Sequence, residues 1–189
     1  MNPEVIAMIL SLIGMVITIA SFQARKKAML LLLQSIGSSF YLISYIFSGG
    51  GIAICLNVIY LIRNFLYTRI DACSKKVRYI VCACLCSAYV ITYGVFTALS
   101  GVQGVENFWN LLPIIGSVFG TIAALQVDMI RLRLLKVGDS FSWLAYNSHI
   151  GLGALGGILG EILNQISIWV AIGREMHERK EQQPGSKEE

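Results

Sequence analysis

Two ionisable residues, Arg63 and Glu161, stand inside long apolar runs of this 189-residue chain. Charge held away from water is costly, so residues placed like this pair with each other, bind a ligand or relay a proton. Counted from the outer ends of their runs at 1.5 Å per residue, they lie roughly 16 Å and 11 Å deep. Long side chains at those depths can meet. A pair between Arg63 and Glu161 would neutralise both charges and tie distant parts of the chain together; a gate or coupling site is the functional alternative.

Amides surround them at helical spacing. Asn57 and Asn64 are seven positions apart and share a helix face, with Tyr60 beside them. Glu161, Asn164 and Gln165 share another face by i, i+3, i+4 spacing, and Trp143, Tyr146 and Asn147 add aromatic and amide groups. Such stripes can hydrogen-bond the hydroxyl or amide groups of a small polar solute. They can also simply bridge helices, at about 0.6 kcal/mol each. The sequence favours a central cavity in which Asn57, Tyr60, Asn64, Trp143, Asn147, Glu161 and Asn164 bind the solute.

Other chemistry is not indicated. There is no P-loop, nucleophile elbow or paired-carboxylate constellation, so no enzyme is expected. His149 and His177 have no partner at metal or catalytic spacing. Cys82, Cys84 and Cys86 alternate between two faces of a helix and cannot enclose a metal alone, and they read as reduced, small hydrophobes, as do Cys55 and Cys73. No metal or cofactor is expected.

The elements that must position these residues are membrane spans. The chain is 56% hydrophobic and only 14% charged, with mean hydropathy +0.67, whereas soluble domains carry about a quarter charged residues. Its formal charge of +4 sits in short turns and is no nucleic-acid signal. The expected spans are Val5–Phe22, Ala28–Ser48, Ile52–Thr68, Tyr79–Leu99, Leu111–Val127, a sixth ending near Ile150, and Ala154–Gly173. The first lacks a basic leader and an A-x-A site, so it is expected to be retained rather than cleaved.

The connections alternate. Arg25/Lys26/Lys27, then Arg69/Lys75/Lys76/Arg78, then Arg131/Arg133/Lys136 follow spans one, three and five; glycine-rich or nearly uncharged turns follow the others. All fifteen Lys and Arg residues except Arg63 fall on one side once the tail is included. The positive-inside rule then puts the N-terminus outside and the C-terminus in the cytoplasm.

An internal repeat fixes the sixth helix. A shift of about 102 residues lays Ile13-Gly14 on Ile115-Gly116, Phe22-Gln23 on Leu125-Gln126, Gly37 near Gly138, and Tyr41-Leu42 on Trp143-Leu144. The Gly49–Gly51 turn meets Gly151 and Gly153. The sixth helix therefore starts near Arg131, with Arg133 and Lys136 expected to snorkel to the cytoplasmic interface. The expected architecture is all-α: residues 1–70 form one three-helix repeat, 71–105 hold a linker with helix four, and 106–175 form a second repeat parallel to the first. Residues 176–189 are expected to be a disordered cytoplasmic tail. Gly153/Gly157, Gly156/Gly160 and Ser35/Ser39 are small-residue pairs that let helices approach closely.

This 3-1-3 layout resembles the SWEET and PQ-loop transporter superfamily, and more specifically the YgjV-type bacterial inner-membrane proteins. The likeness runs to about Arg174. It is carried by Leu112-Pro113-Ile114-Ile115-Gly116-Ser117 and by the stretch Trp143 to Glu161, with Asn147, Gly156-Gly157 and Glu161. It implies a bacterial inner-membrane location, facing asparagines around a substrate, and Pro113 as a hinge. In the first repeat Ser11 stands where that proline is expected. The expected function is alternating-access transport of a small polar solute, sugar-like or nucleoside-like, passive or proton-coupled. The alternative is a membrane receptor or assembly scaffold that uses the same cavity without transport. Expected partners are the solute and the lipid bilayer, with homo-oligomers allowed.

Overall fold

The apolar runs fold as helices, the form in which a segment satisfies all its own backbone hydrogen bonds. The computed structural model describes residues 3–48, 51–101, 105–150 and 155–181. These form α1 (Pro3–Ser21), α2 (Lys27–Ser48), α3 (Gly51–Arg69), α4 (Lys75–Ser100), α5 (Val105–Leu125), α6 (Met129–Ile150) and α7 (Leu155–Glu181), with a short 3-10 turn at Ile70–Ala72. No strand occurs among the described residues.

Several ends have visible causes. Ser74 caps α4 by accepting from the Val77 N–H at 3.4 Å, and Asp128 caps α6 by accepting from the Arg131 N–H at 2.9 Å. Gly101 ends α4 in the left-handed region at φ 67°, its N–H reaching the Thr97 carbonyl, a conformation glycine adopts without steric cost.

The sidedness of the bundle is inverted relative to a soluble domain. Val16, Phe65, Ile91 and Leu99 are more than half exposed, while Arg63 and Arg133 are fully buried. So large an apolar surface belongs against lipid. By length and hydropathy alone α1, α2, α4 and α5 suffice to cross a membrane. The remaining three helices, α3, α6 and α7, carry the buried charged residues Arg63, Arg133, Lys136 and Asp139 and the buried amides Asn64 and Asn164.

Neighbours in sequence pack as neighbours in space. α2 lies between α1 and α3, α6 lies between α5 and α7, and α4 packs on α3 and α5. Across the middle α1 meets α7 and α3 meets α5. One core cluster gathers Phe22 at the end of α1, Leu30 and Leu31 at the start of α2, and Tyr67 near the end of α3. It continues through Cys82 of α4, Leu125 of α5 and Leu132 of α6. Successive helices therefore run up and down.

Glycine sets the closest approaches. A Cβ on Gly14 would lie 2.8 Å from the Gly37 carbonyl oxygen and against Tyr41. A Cβ on Gly116 would lie 3.1 Å from the Asp139 carbonyl oxygen and 3.1 Å from Trp143.

Three expectations change. α4 and α5 begin earlier than hydropathy suggested, at Lys75 and Val105. α7 continues to Glu181, so residues 176–181 are helical rather than disordered. The expected disorder of 182–189 and the glycine turns at 49–50 and 151–153 lie outside the described residues.

Candidate functional site

A cavity of about 130 Å³ opens inside the bundle. Its floor is built by α3 and α6. Asn57 and Tyr60 face it from α3, and Lys136, Asp139, Ser140, Trp143 and Asn147 from α6. From α7 come Gly157, Gly160, Glu161 and Asn164, and from α2 Gln34, Ser38, Tyr41 and Tyr45. Helical periodicity explains the choice: Lys136, Asp139/Ser140, Trp143 and Asn147 repeat every three or four residues along one face. Gly157 leaves space for Asn147, whose amide nitrogen would stand 2.7 Å from a Cβ there.

Tyr60 organises one wall. Its hydroxyl donates to Gln34 Oε1 at 2.9 Å and accepts from Lys136 Nζ at 3.5 Å. The Arg63 guanidinium lies over its ring at 3.8 Å from the centroid, and Lys136 Nζ lies 5.2 Å from it. Lys136 forms an ion pair with Asp139 Oδ2 at 2.5 Å. The same carboxylate and Arg63 Nη1 crowd one spot beside α5: a Cβ on Gly120 would lie 2.6 Å and 2.7 Å from them. Arg63 Nη1 is buried and has no hydrogen-bond partner among the described residues.

Glu161 faces the cavity from α7, against α6. Its Oε2 accepts from the Ser140 hydroxyl at 2.5 Å and from the Asn164 amide at 3.4 Å. Asn164 Oδ1 and Gln34 Nε2, both buried on the cavity lining, have no hydrogen-bond partner among the described residues. Buried polar atoms rarely stay unpaired, and these two expose almost no surface to the cavity.

The pair expected between Arg63 and Glu161 is not formed. Arg63 donates through Nε and Nη2 to its neighbour Asn64 Oδ1, at 3.2 Å and 3.0 Å, and lies over the Tyr60 ring. Asn64 is likewise behind the wall, donating toward the Leu31 carbonyl at 3.5 Å. Asn57, Tyr60, Trp143, Asn147, Glu161 and Asn164 do line the cavity. Gln165 turns away, to the Val137 carbonyl at 3.0 Å. Pro113 is buried inside α5, which continues through it.

Snorkelling is also corrected. Arg133 is fully buried and donates to the Phe22, Ala24 and Ala171 carbonyls and to Glu175 Oε2 at 2.8 Å. It satisfies carbonyls left free where α1 ends, a stronger demand than solvation. Arg174 adds a bond to the Gln23 carbonyl at 2.9 Å. At the surface of this end, the Arg131 N–H and the Arg179 guanidinium, 2.8 Å away, hold the Asp128 carboxyl below the usual carboxylate range. Lys136 turns inward too.

Asp139, Lys136, Ser140 and the α2 tyrosines were missed as site residues. The i, i+3 spacing of Lys136 and Asp139 was the available signal.

No curated protein and no solved structure matches the chain. A family model described as a bacterial inner membrane protein, Imp-YgjV, matches residues 5–179. With nearly the whole chain matched, and with an apolar helical exterior, the protein belongs to the Imp-YgjV family of bacterial inner membrane proteins.

Proposed function

We propose that the protein is a carrier that moves a small polar solute, chemically unchanged, across the inner membrane by alternating access between two parallel three-helix repeats. The repeats are residues 1–70 and 106–175, joined by a linker containing α4, with the N-terminus outside. The observation that carries the reading is the polar cavity, lined by helices of both repeats within an apolar-faced bundle. Carriers built from parallel repeats place their solute sites at the repeat interface.

The packing supports the repeat. Gly14 against Gly37 and Tyr41 corresponds, at the shift of about 102 residues, to Gly116 against Asp139 and Trp143. Where the first repeat sets Thr18 against Gly37, the second sets Gly120 against Asp139, so the side chain comes from the opposite helix. Gln34 and Lys136, equivalent by the same shift, converge on one Tyr60 hydroxyl. The cross-contacts α1 to α7 and α3 to α5 also exchange under it.

The test is counterflow in proteoliposomes loaded with unlabelled alanine, glycerol or lactate and offered the same labelled solute. At least one should accumulate transiently, and Asn57→Ala with Asn164→Ala should abolish it. Solute binding with no counterflow for any would favour a receptor and contradict the carrier.

A further inference from the structure

Just beyond the cavity, at the end of the bundle that carries the basic turns, side chains of α6 and α7 hold the end of α1. The lining stops there at Phe22, Lys136 and Asn164. One position or one helical turn further on stand Gln23, Arg133 and Ser167. Four carbonyls at the end of α1, where intrahelical donors run out, are met from across the seam. The Ser167 hydroxyl donates to the Ile19 carbonyl at 3.0 Å, and Arg133 to those of Phe22 and Ala24 at 3.3 Å and 2.9 Å. Arg174 donates to the Gln23 carbonyl at 2.9 Å. The Gln23 side chain completes the clasp: it donates to the Ser167 carbonyl and hydroxyl at 3.1 Å and 2.9 Å and accepts from Arg174 at 3.3 Å.

The equivalent seam, where the end of α5 meets α2 and α3, is built differently. Leu31 stands where the shift of about 102 residues would put a counterpart of Arg133, and it is buried in one apolar cluster with Tyr67, Ala124 and Leu125. Gln126, the counterpart of Gln23, turns back to the Ile122 carbonyl of its own helix at 3.2 Å. We infer that the two seams have different duties: α1 parts from α6 and α7 as the gate at the basic end, while α5 stays packed on α2 and α3 as the pivot. The inference rests on reading the protein as a carrier. A polar seam that opens to water trades its hydrogen bonds for bonds to water at small net cost. An apolar seam has no such replacement, because every part of it that opens brings hydrocarbon into water. The clasp also lies next to the lining on three helices at once, so its release uncovers the cavity directly.

The test places Ser38→Cys, on the cavity lining, as the sole thiol of the full chain in sealed vesicles of both orientations and follows its labelling by an impermeant maleimide. A companion chain with Cys73 alone, exposed at the basic end, identifies which face bears the basic turns. Gln23→Ala and Arg174→Gln should each raise the labelling rate from that face, relative to the other, by at least about threefold, as expected when a closed state loses a hydrogen bond or two. Gln126→Ala, at the equivalent place on the apolar seam, should leave the ratio unchanged. An unchanged ratio in both clasp variants, whatever happens to the unfolding midpoint, makes the clasp a structural cap and overturns the gate. An equal rise with Gln126→Ala overturns it too. Should Arg174→Gln fail to fold, Gln23→Ala carries the test, since it removes only a half-buried amide. Labelling from one face alone in every chain removes the carrier reading, and the gate with it.

Discussion

Asp139 is the ion-pair partner of the buried Lys136 and sits with the Arg63 guanidinium beside Gly120, which makes it the most exposed point of failure among single residues. Asp139→Asn leaves Lys136 without its ion-pair partner in the interior, and removal of one partner from a buried pair costs roughly 3–5 kcal/mol. The unfolding midpoint in detergent should fall accordingly, and further than for Glu161→Gln, whose partners are neutral. A double-mutant cycle should give coupling above about 1 kcal/mol between Lys136 and Asp139 and near zero between Arg63 and Glu161. Coupling of the reverse order would restore the pair that the sequence suggested. Asp128 offers a pH test. Its folded carboxyl is held low by the Arg131 N–H and Arg179, so its stabilisation is complete above its unfolded pKa of about 3.9 and is lost as pH falls through the folded value. Asp128→Asn, which still caps α6, should flatten that part of the acid-unfolding curve. The amides and Glu161 were legible from helical spacing alone, because a polar residue in an apolar run needs a reason. Asp139 was not, because basic residues near a span end read as interfacial, and that reading drew attention away from the acid three residues on.

Helix-level packing depends on a few positions where backbones nearly touch. Gly14→Val places a branched side chain 2.8 Å or closer to the Gly37 carbonyl, and overpacking of this kind costs about 1–3 kcal/mol; a lowered unfolding midpoint checks it, whereas Gly94→Val, which meets nothing, should cost far less. Pro113 removes an N–H from α5, so the Trp109 carbonyl lacks its helical partner. Pro113→Ala should stabilise the helix and slow solute exchange in proteoliposomes, and faster exchange would argue against bending there. The elements themselves were readable from apolar runs between charged turns. Their ends were less so: α7 runs on to Glu181 because Glu175, Glu178 and Arg179 find partners in Arg133, Arg25 and Asp128, and such partners come from elsewhere in the chain.

At the scale of the whole molecule the basic turns, Arg133 and the larger core cluster share one end of the bundle. Cys73, exposed between α3 and α4, reports which face of the membrane that end occupies. With the other cysteines replaced, Cys73 should react with a membrane-impermeant maleimide in inverted vesicles and stay unreacted in spheroplasts; the opposite pattern would reverse the orientation. The proposed repeat rests on an ordered series of weak identities in the sequence, and the glycine contacts are the packing that supports it. The cavity amides Asn57 and Asn164 were readable in the sequence but the ion pairing around them was not, because which cation meets which acid depends on helix rotation. The proposed alternating access requires the cavity to be reachable from both faces in turn. Its most direct test is a single cysteine at Ser38, buried on the cavity lining, in an otherwise cysteine-free chain. An impermeant thiol reagent should label Ser38→Cys from outside in right-side-out vesicles and from inside in inverted ones; labelling from one face alone would contradict a carrier.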